Sequence, residues 1–417
     1  MYMETTLSDI ADGCKYGFVD GPFGSNLPSS CYKHKGIPVI RGCNLSIGKF
    51  RYIDQGYCFV DNIVLDKLSR STARKFDIIF TKKGTIGQIG IIPKNALYNL
   101  YLLSSNQMRL RVDISKADPY FVYYYLTQKN IIKKIIRDSE STGVPKTNLA
   151  YFRSFPIKLP ALSEQQAIAP ILGTLDDKIE LNRRQNATLE AMAQAIFKDW
   201  FVDFGPVHAK MEGRQPEGMS REIADLFPDR LDDEGKPEGW EWKTLDSILE
   251  LCYGKALKAS ERIPGKTPVY GSGGITGYHN QALVITPSII VGRKGTIGSL
   301  YIEHRPFYPI DTVFYVKSDY SIFFCYFILK QQKLKDMNTD AAVPGLNRNN
   351  VYRLVFSMPS NIVIEKFDAY IQNIYKKIYH NYSEISILIS LRDTLLPKLI
   401  SGELRVPDAE KMVADIV

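Results

Sequence analysis

Histidine, paired cysteine and long apolar runs are scarce in this chain. Its 417 residues hold five histidines and six cysteines. The cysteines, Cys14, Cys31, Cys43, Cys58, Cys252 and Cys325, are scattered without a Cys-x-x-Cys pair. Structural zinc is held by close ligand pairs, so this spacing argues against a metal site and for reduced thiols. His34, His208, His279, His304 and His380 stand apart from any serine or cysteine arrangement, and surface or core packing accounts for each. The longest apolar runs, such as 321–329, are far too short to span a bilayer. The opening MYMETTLSDI has acidic residues and no apolar segment, so no signal peptide is expected. The expectation is a soluble, cytoplasmic protein without membrane contact.

Catalytic motifs are nearly present and fail. Gly42 to Lys49 has one residue too many for a phosphate-binding P-loop, and Phe50 stands where a hydroxyl must hold magnesium. Asp118-Pro119-Tyr120 lacks the second proline of the aromatic loop used by amino-methyltransferases, and no glycine-rich S-adenosylmethionine loop follows a strand. Pro228-Asp229 with Glu234-Gly235-Lys236 has the composition of a nuclease carboxylate set but no strand to fix it. No active site can be assembled, so the chain reads as a recogniser and not an enzyme. Tyr120, Tyr123, Tyr124 and Tyr125 read as helix-packing aromatics rather than a base-stacking platform.

With 45% hydrophobic residues the chain can bury more than one core, and its formal charge is +8. That charge alone is weak evidence for a nucleic-acid partner. Its clearest pattern is a heptad seam: Ile168, Leu172, Leu175, Ile179, Asn182, Asn186, Leu189, Ala193, Ile196 and Trp200 recur at spacings of three and four. Adding 199 to each number gives a second seam: Phe367, Ile371, Ile374, Ile378, Asn381, Ile385, Leu388, Arg392, Leu395 and Leu399. Asparagine interrupts both at the same place, Asn182 and Asn381. Ser163 and Gln166 have the spacing of a capping box at the first helix start, and Pro170 predicts either a kink or a later start to the regular helix.

The globular segments repeat as well. Thr6-Leu7-Ser8-Asp9-Ile10 is matched by Thr244-Leu245-Asp246-Ser247-Ile248, and Lys83-Gly84-Thr85-Ile86-Gly87 by Lys294-Gly295-Thr296-Ile297-Gly298 without a change. Val144-Pro145 is matched by Val343-Pro344. The expected order is an α/β (α+β) domain at 1–158, a spacer helix at 159–204, a core-poor connecting segment at 205–239, a second α/β domain at 240–358, and a second helix with a C-terminal tail at 359–417. Two matching helices in one chain most simply pair as an antiparallel coiled coil, giving an internal pseudo-twofold duplication. Asn182 and Asn381 would then act as a register mark, meeting or lying within a turn of each other. About 30 helical residues rise roughly 45 Å, close to the roughly 34–36 Å of one DNA turn. The bland reading is a structural hairpin inside an ordinary two-domain protein.

The repeated Lys-Gly-Thr-Ile-Gly carries the best local signal. Its glycines let backbone approach a partner, and Lys82, Lys83, Arg293 and Lys294 could neutralise phosphates; a solvated hairpin turn is the competing reading.

The ensemble resembles the specificity (S) subunit of type I restriction-modification systems. The resemblance rests on Leu159-Pro160 with Glu164-Gln165 and Ile168, and on the helix exit Phe197 to Phe204. It also rests on Pro237-Glu238-Gly239-Trp240 and on the terminal Leu396 to Leu404. The second helix start lacks the Glu-Gln pair, and the first domain lacks a Pro-Glu-Gly-Trp opening. The resemblance implies two target recognition domains, each reading one half of a bipartite site on double-stranded DNA. It implies paired helices that set the unread gap and dock two methyltransferase (M) subunits. Those partners would use S-adenosylmethionine to methylate adenine. Added restriction (R) subunits would cleave DNA using ATP and magnesium, and this chain would hold no cofactor. Candidate DNA contacts are Lys82, Lys83, Thr85 and Lys146 in the first domain, with Arg293, Lys294, Thr296, Asn347 and Arg348 in the second. Phe197, Trp200 and Phe201 are candidates for M-subunit docking or, equally, for core packing. The alternatives are a self-contained DNA methyltransferase or nuclease, and an adaptor that never touches DNA.

Overall fold

The computed structural model describes residues 2–14, 16–139, 145–338 and 345–414. They form two compact units, Met1–Arg184 with Asn381–Val417, and Gln185–His380. Each is a mixed α/β body on its own section of two long helices.

In the first unit, runs rich in isoleucine, valine and phenylalanine form short strands buried on both faces, as β-branched residues favour. One sheet runs in the order Phe18–Asp20, Gln107–Leu110, Ile78–Thr81, Ile89–Ile91, with antiparallel neighbours. A second runs Cys58–Val60, Ile37–Ile40, Tyr101–Leu103, Thr72–Ala73, its middle pair parallel. Met3–Thr6 pairs antiparallel with Pro156–Leu159, where Ile157 and Leu159 point inward at the two-residue period of a strand. Arg109 is buried within the first sheet. Asp77 compensates its charge at 3.5 Å and also takes two bonds from Arg111 at 2.8 Å.

The second unit repeats this plan. Its four-stranded sheet runs Glu250–Tyr253, Val313–Lys317, Ser288–Gly292, Leu300–Glu303. Thr267–Gly271 lies between antiparallel Gly274–His279 and parallel Tyr308–Pro309, and Glu241–Thr244 pairs with Val355–Met358. The parallel pairing of Val39 with Leu102 thus has its counterpart in Val269 with Tyr308. The duplication read from sequence is a duplication of sheet topology.

The long helices are Leu162–Phe201 and Asn361–Ser401. Their heptad positions are buried or half-buried throughout, including both asparagines. Within each unit they run antiparallel. In the first, Arg392 Nη1 bonds Asp176 Oδ1 at 2.8 Å and Asn182 Nδ2 bonds Glu384 Oε2 at 2.9 Å. In the second, Asn186 Nδ2 donates to the Ile378 carbonyl at 3.3 Å, and Tyr375 Oη donates to Glu190 Oε2 at 2.7 Å.

Three expectations change. The first helix starts at Leu162, so Ser163 lies in its first turn instead of capping it. Gln165, not Gln166, makes the buried bonds there, donating to the Pro160 carbonyl and accepting from Asp118 N–H. The helix also begins before Pro170 and includes it, so its regular part does not start there, and the Pro170 carbonyl accepts from Thr174 Oγ1 at 3.0 Å. Finally, the stretch expected to be core-poor buries Val207, Met219, Ala224 and Phe227 beside Trp200 and Trp240. A few apolar anchors among many charges suffice, because each buried Val, Met or Phe side chain contributes about 1.5–3 kcal/mol.

In each unit a short helix is among the elements that tie the globular body to the helix pair. Tyr124, in Pro119–Leu126, donates to Asp176 at 2.9 Å; burial and then the Asp176 charge hold the phenol well above its usual pKa. In Ile322–Gln331, Tyr326 and Lys330 bond Glu190 at 3.0 and 2.6 Å. Removing one partner of such a buried pair strands the other's charge. Arg392→Ala is therefore expected to cost about 3–5 kcal/mol in denaturant unfolding, and Asp176→Leu combined with Arg392→Leu less than the two single changes added. A single-mutant loss below about 1 kcal/mol would mean that the pair is effectively solvated.

Candidate nucleic-acid interface

Both Lys-Gly-Thr-Ile-Gly segments form the turn between neighbouring strands of a four-stranded sheet, Ile78–Thr81 to Ile89–Ile91 and Ser288–Gly292 to Leu300–Glu303. Gly84, Gly87, Gly295 and Gly298 all have positive φ, between 64° and 97°, which only glycine adopts without strain. At Gly298 a Cβ would also stand 2.5 Å from the Lys335 backbone nitrogen. The glycines are thus set by the turn itself, and the exposed lysine and threonine are free to vary in role.

In the first unit the turn is stitched to the segment before Leu149–Arg153. Gly84 N–H donates to the Pro145 carbonyl at 3.2 Å, Thr147 N–H to the Lys82 carbonyl at 2.8 Å, and Lys83 bridges Lys146. Lys82, Lys83, Thr85 and Lys146 are therefore brought together. Lys83, Thr85 and Lys146 are exposed, while Lys82 is half-buried with Nζ 3.2 Å from Asp20.

The second unit is stitched in the same way: Leu346 N–H donates to the Arg293 carbonyl at 2.8 Å and Lys294 bridges Gly345. Lys294 and Thr296 are exposed. Arg293 Nη1 donates to the Asp311 carbonyl at 2.8 Å. Asn347 caps the helix Arg348–Tyr352, accepting from Asn349 N–H at 2.9 Å, so its side chain serves the backbone. Tyr253, which sequence reasoning misses, lies with its ring 5.0 Å from the Arg293 guanidinium and 5.1 Å from that of Arg348. Its only mark in the sequence is that of an aromatic at a strand end, which is too common a signal to single out. The segment Ser141 to Val144 and the pair Val343-Pro344 lie outside the described residues.

The other expected sites lie apart from the two turns. Asn182 faces Glu384, three residues along the helix from Asn381, which is itself fully buried. Phe197, Trp200 and Phe201 are enclosed in the aromatic core of the second unit, against Phe324, Phe327, Phe367 and Trp240. Their docking role is corrected: at the helix exit, three large rings on one stripe are covered by the domain they lead into. Asp229 and Glu234 pair with Lys210 and Lys236, and no group of three or more potential metal ligands occurs among the described residues. The Asp118 carboxylate caps Pro119–Leu126.

A cleft of about 1070 Å³ in the first unit lies beside the first long helix, lined by Lys49, Arg51, Tyr120, Asp176, Asp177 and Arg183 among others. Its charges largely answer one another. Arg51 pairs with Asp177, Arg392 with Asp176, and Arg183 stacks 4.2 Å over Phe50 while donating to the Lys49 carbonyl. It is a seam between domain and helices rather than a charged groove. Among the described residues, no helix is long and apolar enough to cross a membrane.

Residues 63–191 and 237–381 match the model of the type I restriction modification DNA specificity domain, which covers more than half of the chain. The chain belongs to this family. It is 27% identical to the HindI type I restriction enzyme specificity subunit of Haemophilus influenzae, over 84% of this chain and 91% of that one. It is also 27% identical to the MjaIX type I restriction enzyme specificity subunit of Methanocaldococcus jannaschii, over 92% of this chain and 91% of that one. The crystal structure of an S subunit from M. genitalium shares the fold, with a TM-score of 0.54 and 18% identity, and covers 96% of each chain. The two-domain, two-helix architecture and the DNA-specificity role stand on these matches.

If Lys83 and Lys294 bind phosphates, each should release counterions when the duplex docks. Lys83→Ala and Lys294→Ala are each expected to lower the slope of log affinity against log salt by about 0.9 for the one phosphate no longer neutralised, for duplex of any sequence. Slopes equal to wild type would leave the turns as structural hairpins only.

Proposed function

We propose that the two globular domains of this DNA-specificity subunit each read one half of a bipartite, asymmetric duplex site, and that the chain itself performs no covalent chemistry. The observation that carries this is the twofold construction of one exposed basic surface, a Lys-Gly-Thr-Ile-Gly turn stitched to the segment leading into a short helix. A duplicated surface of this kind suits a target with two half-sites, as paired DNA-reading modules do. Lysine and arginine on the turns position each domain on phosphates, and neighbouring side chains meet base edges. The relatives' names place them in type I restriction enzymes. On that basis we assign methyl transfer to adenine to two M subunits holding S-adenosylmethionine, and cleavage to R subunits using ATP and magnesium. The residues of the long helices that face away from the seam are the surface offered to the M subunits, in place of Phe197, Trp200 and Phe201. The number of helical residues sets the unread gap between the half-sites.

Exchanging residues 1–158 for another domain of this family should change one half of the motif methylated by the assembled complex and leave the other half intact. Changes in both halves would contradict modular reading. Inserting one heptad near Asn182 and one near Asn381 together should lengthen the unread gap without altering either half-site; an unchanged gap would show that the helices are not the spacer. Methylated-adenine sequencing in cells expressing the chain with its methyltransferase partner reads both.

A further inference from the structure

The two domains share one framework at the turn, yet the side chains mounted on it differ in kind. Aligning the sheets sets Asp20 against Tyr253, since each ends the first strand and pairs with the residue one in from the start of its neighbour, Met108 or Phe314. The repeated turn sets Lys82 against Arg293, and the capped short helices set Leu149 against Arg348 and Arg153 against Tyr352. In the first unit this location is spent internally. Lys82 Nζ lies 3.2 Å from Asp20, Leu149 is apolar, and Arg153 Nη2 donates to the Phe18 carbonyl at 3.0 Å.

In the second unit the same location holds a ladder of alternating guanidinium and aromatic groups. Arg293 lies 5.0 Å from the Tyr253 ring, and Arg348 lies 5.1 Å from that ring and 5.6 Å from that of Tyr352. Tyr352 is itself fixed, its hydroxyl accepting from Leu251 N–H at 2.9 Å. Tyr253 is 49% exposed, so the ladder stands at the surface. The guanidinium of Arg348 has no ion pair or hydrogen bond among the described residues, and its Nε is buried without a partner. A cation–π contact holds a guanidinium without spending a hydrogen bond to an acceptor, so the terminal N–H groups of Arg348 are left for a ligand. A planar, pre-oriented fork without a counter-charge is the group that recognises the O6 and N7 acceptors of guanine in the major groove.

We propose that Arg348, held between Tyr253 and Tyr352, is a specificity-determining residue that reads a guanine in the half-site of the second domain, with Tyr253 as its positioning residue. The corresponding location in the first domain reads no base through a guanidinium. This rests on the bipartite reading above. It goes further by naming one side chain, one base and one half-site.

The test uses the chain assembled with its methyltransferase partner in cells, with methylated adenines sequenced. Arg348→Lys keeps the charge and much of the stem but loses the fork; Arg348→Met keeps the stem alone. Lys294→Ala serves as a phosphate-binding comparator. Both Arg348 variants are expected to lose preference for guanine at one position. Discrimination there should fall on the order of tenfold to hundredfold, while every other position of the motif is retained. Tyr253→Leu should relax the same position to a smaller degree, and Lys294→Ala should weaken methylation without changing the motif. A motif unchanged in Arg348→Lys and Arg348→Met overturns the assignment. So does relaxation in the half-site altered by exchange of residues 1–158, or uniform loss on all sequences with an unchanged melting temperature. If Arg348→Met melts early, Arg348→Lys decides. A wild-type complex that methylates no two-part motif refutes the bipartite reading instead, so the two failures are distinguishable.

Discussion

The antiparallel seam of the two long helices is the constraint on which each unit depends, and its few buried polar groups are what make it specific. Apolar burial is non-directional and would tolerate a heptad slip. A buried carboxylate is not tolerant, because without its partners it loses several kcal/mol of solvation. Buried Asp176 finds Arg392 and Tyr124; half-buried Glu190 finds Tyr375, Tyr326 and Lys330. Each carboxylate thereby ties three elements together, the two long helices and the short helix of its own domain. The seam thus sets helix register and domain seating with the same atoms.

The two ties are not copies of each other. Under the shift of 199 residues, Asp176 corresponds to Tyr375 and Arg392 to Ala193. Both join an acid to a cation and a phenol, but the cation comes from the second long helix in the first unit, Arg392, and from the short helix in the second, Lys330. A duplicated backbone has been kept while its polar contacts have diverged, and the turns show the same division of labour. Positive φ angles oblige glycine at equivalent places in both domains. The residues carried on that shared frame, Lys82 with Asp20 against Arg293 with Tyr253, have different electrostatic fates: one cation pairs with a carboxylate, the other lies over a ring. Such a frame can change what it binds without changing how it folds.

Much of this is legible in the chain because it is written at short range. A heptad stripe repeats every three or four residues, and a glycine turn needs only its neighbours, so the helices and both Lys-Gly-Thr-Ile-Gly hairpins can be read directly. The gathering of Lys83 with Lys146, and of Lys294 with the segment at Gly345, follows only from parallel order along the two halves. Expectation and structure part where an outcome depends on distant residues. Ser163 has the spacing of a cap, but the helix starts earlier and Gln165 is engaged by Pro160 and Asp118. For Phe197, Trp200 and Phe201 docking and core packing are equally legible in the sequence, and only the arrival of Phe324, Phe327 and Phe367 decides for the core.

By itself, then, the sequence determined the duplication, the two heptad helices and the positions where backbone must turn, since each follows from period or from glycine's steric freedom. Tertiary structure alone decided the partners. It brought Glu384 to Asn182, Arg392 to Asp176, and two arginines from segments 55 residues apart onto Tyr253. The reason is physical: a charge or a ring carries no record in the sequence of which distant group will satisfy it, and that choice is made only when the core closes around both.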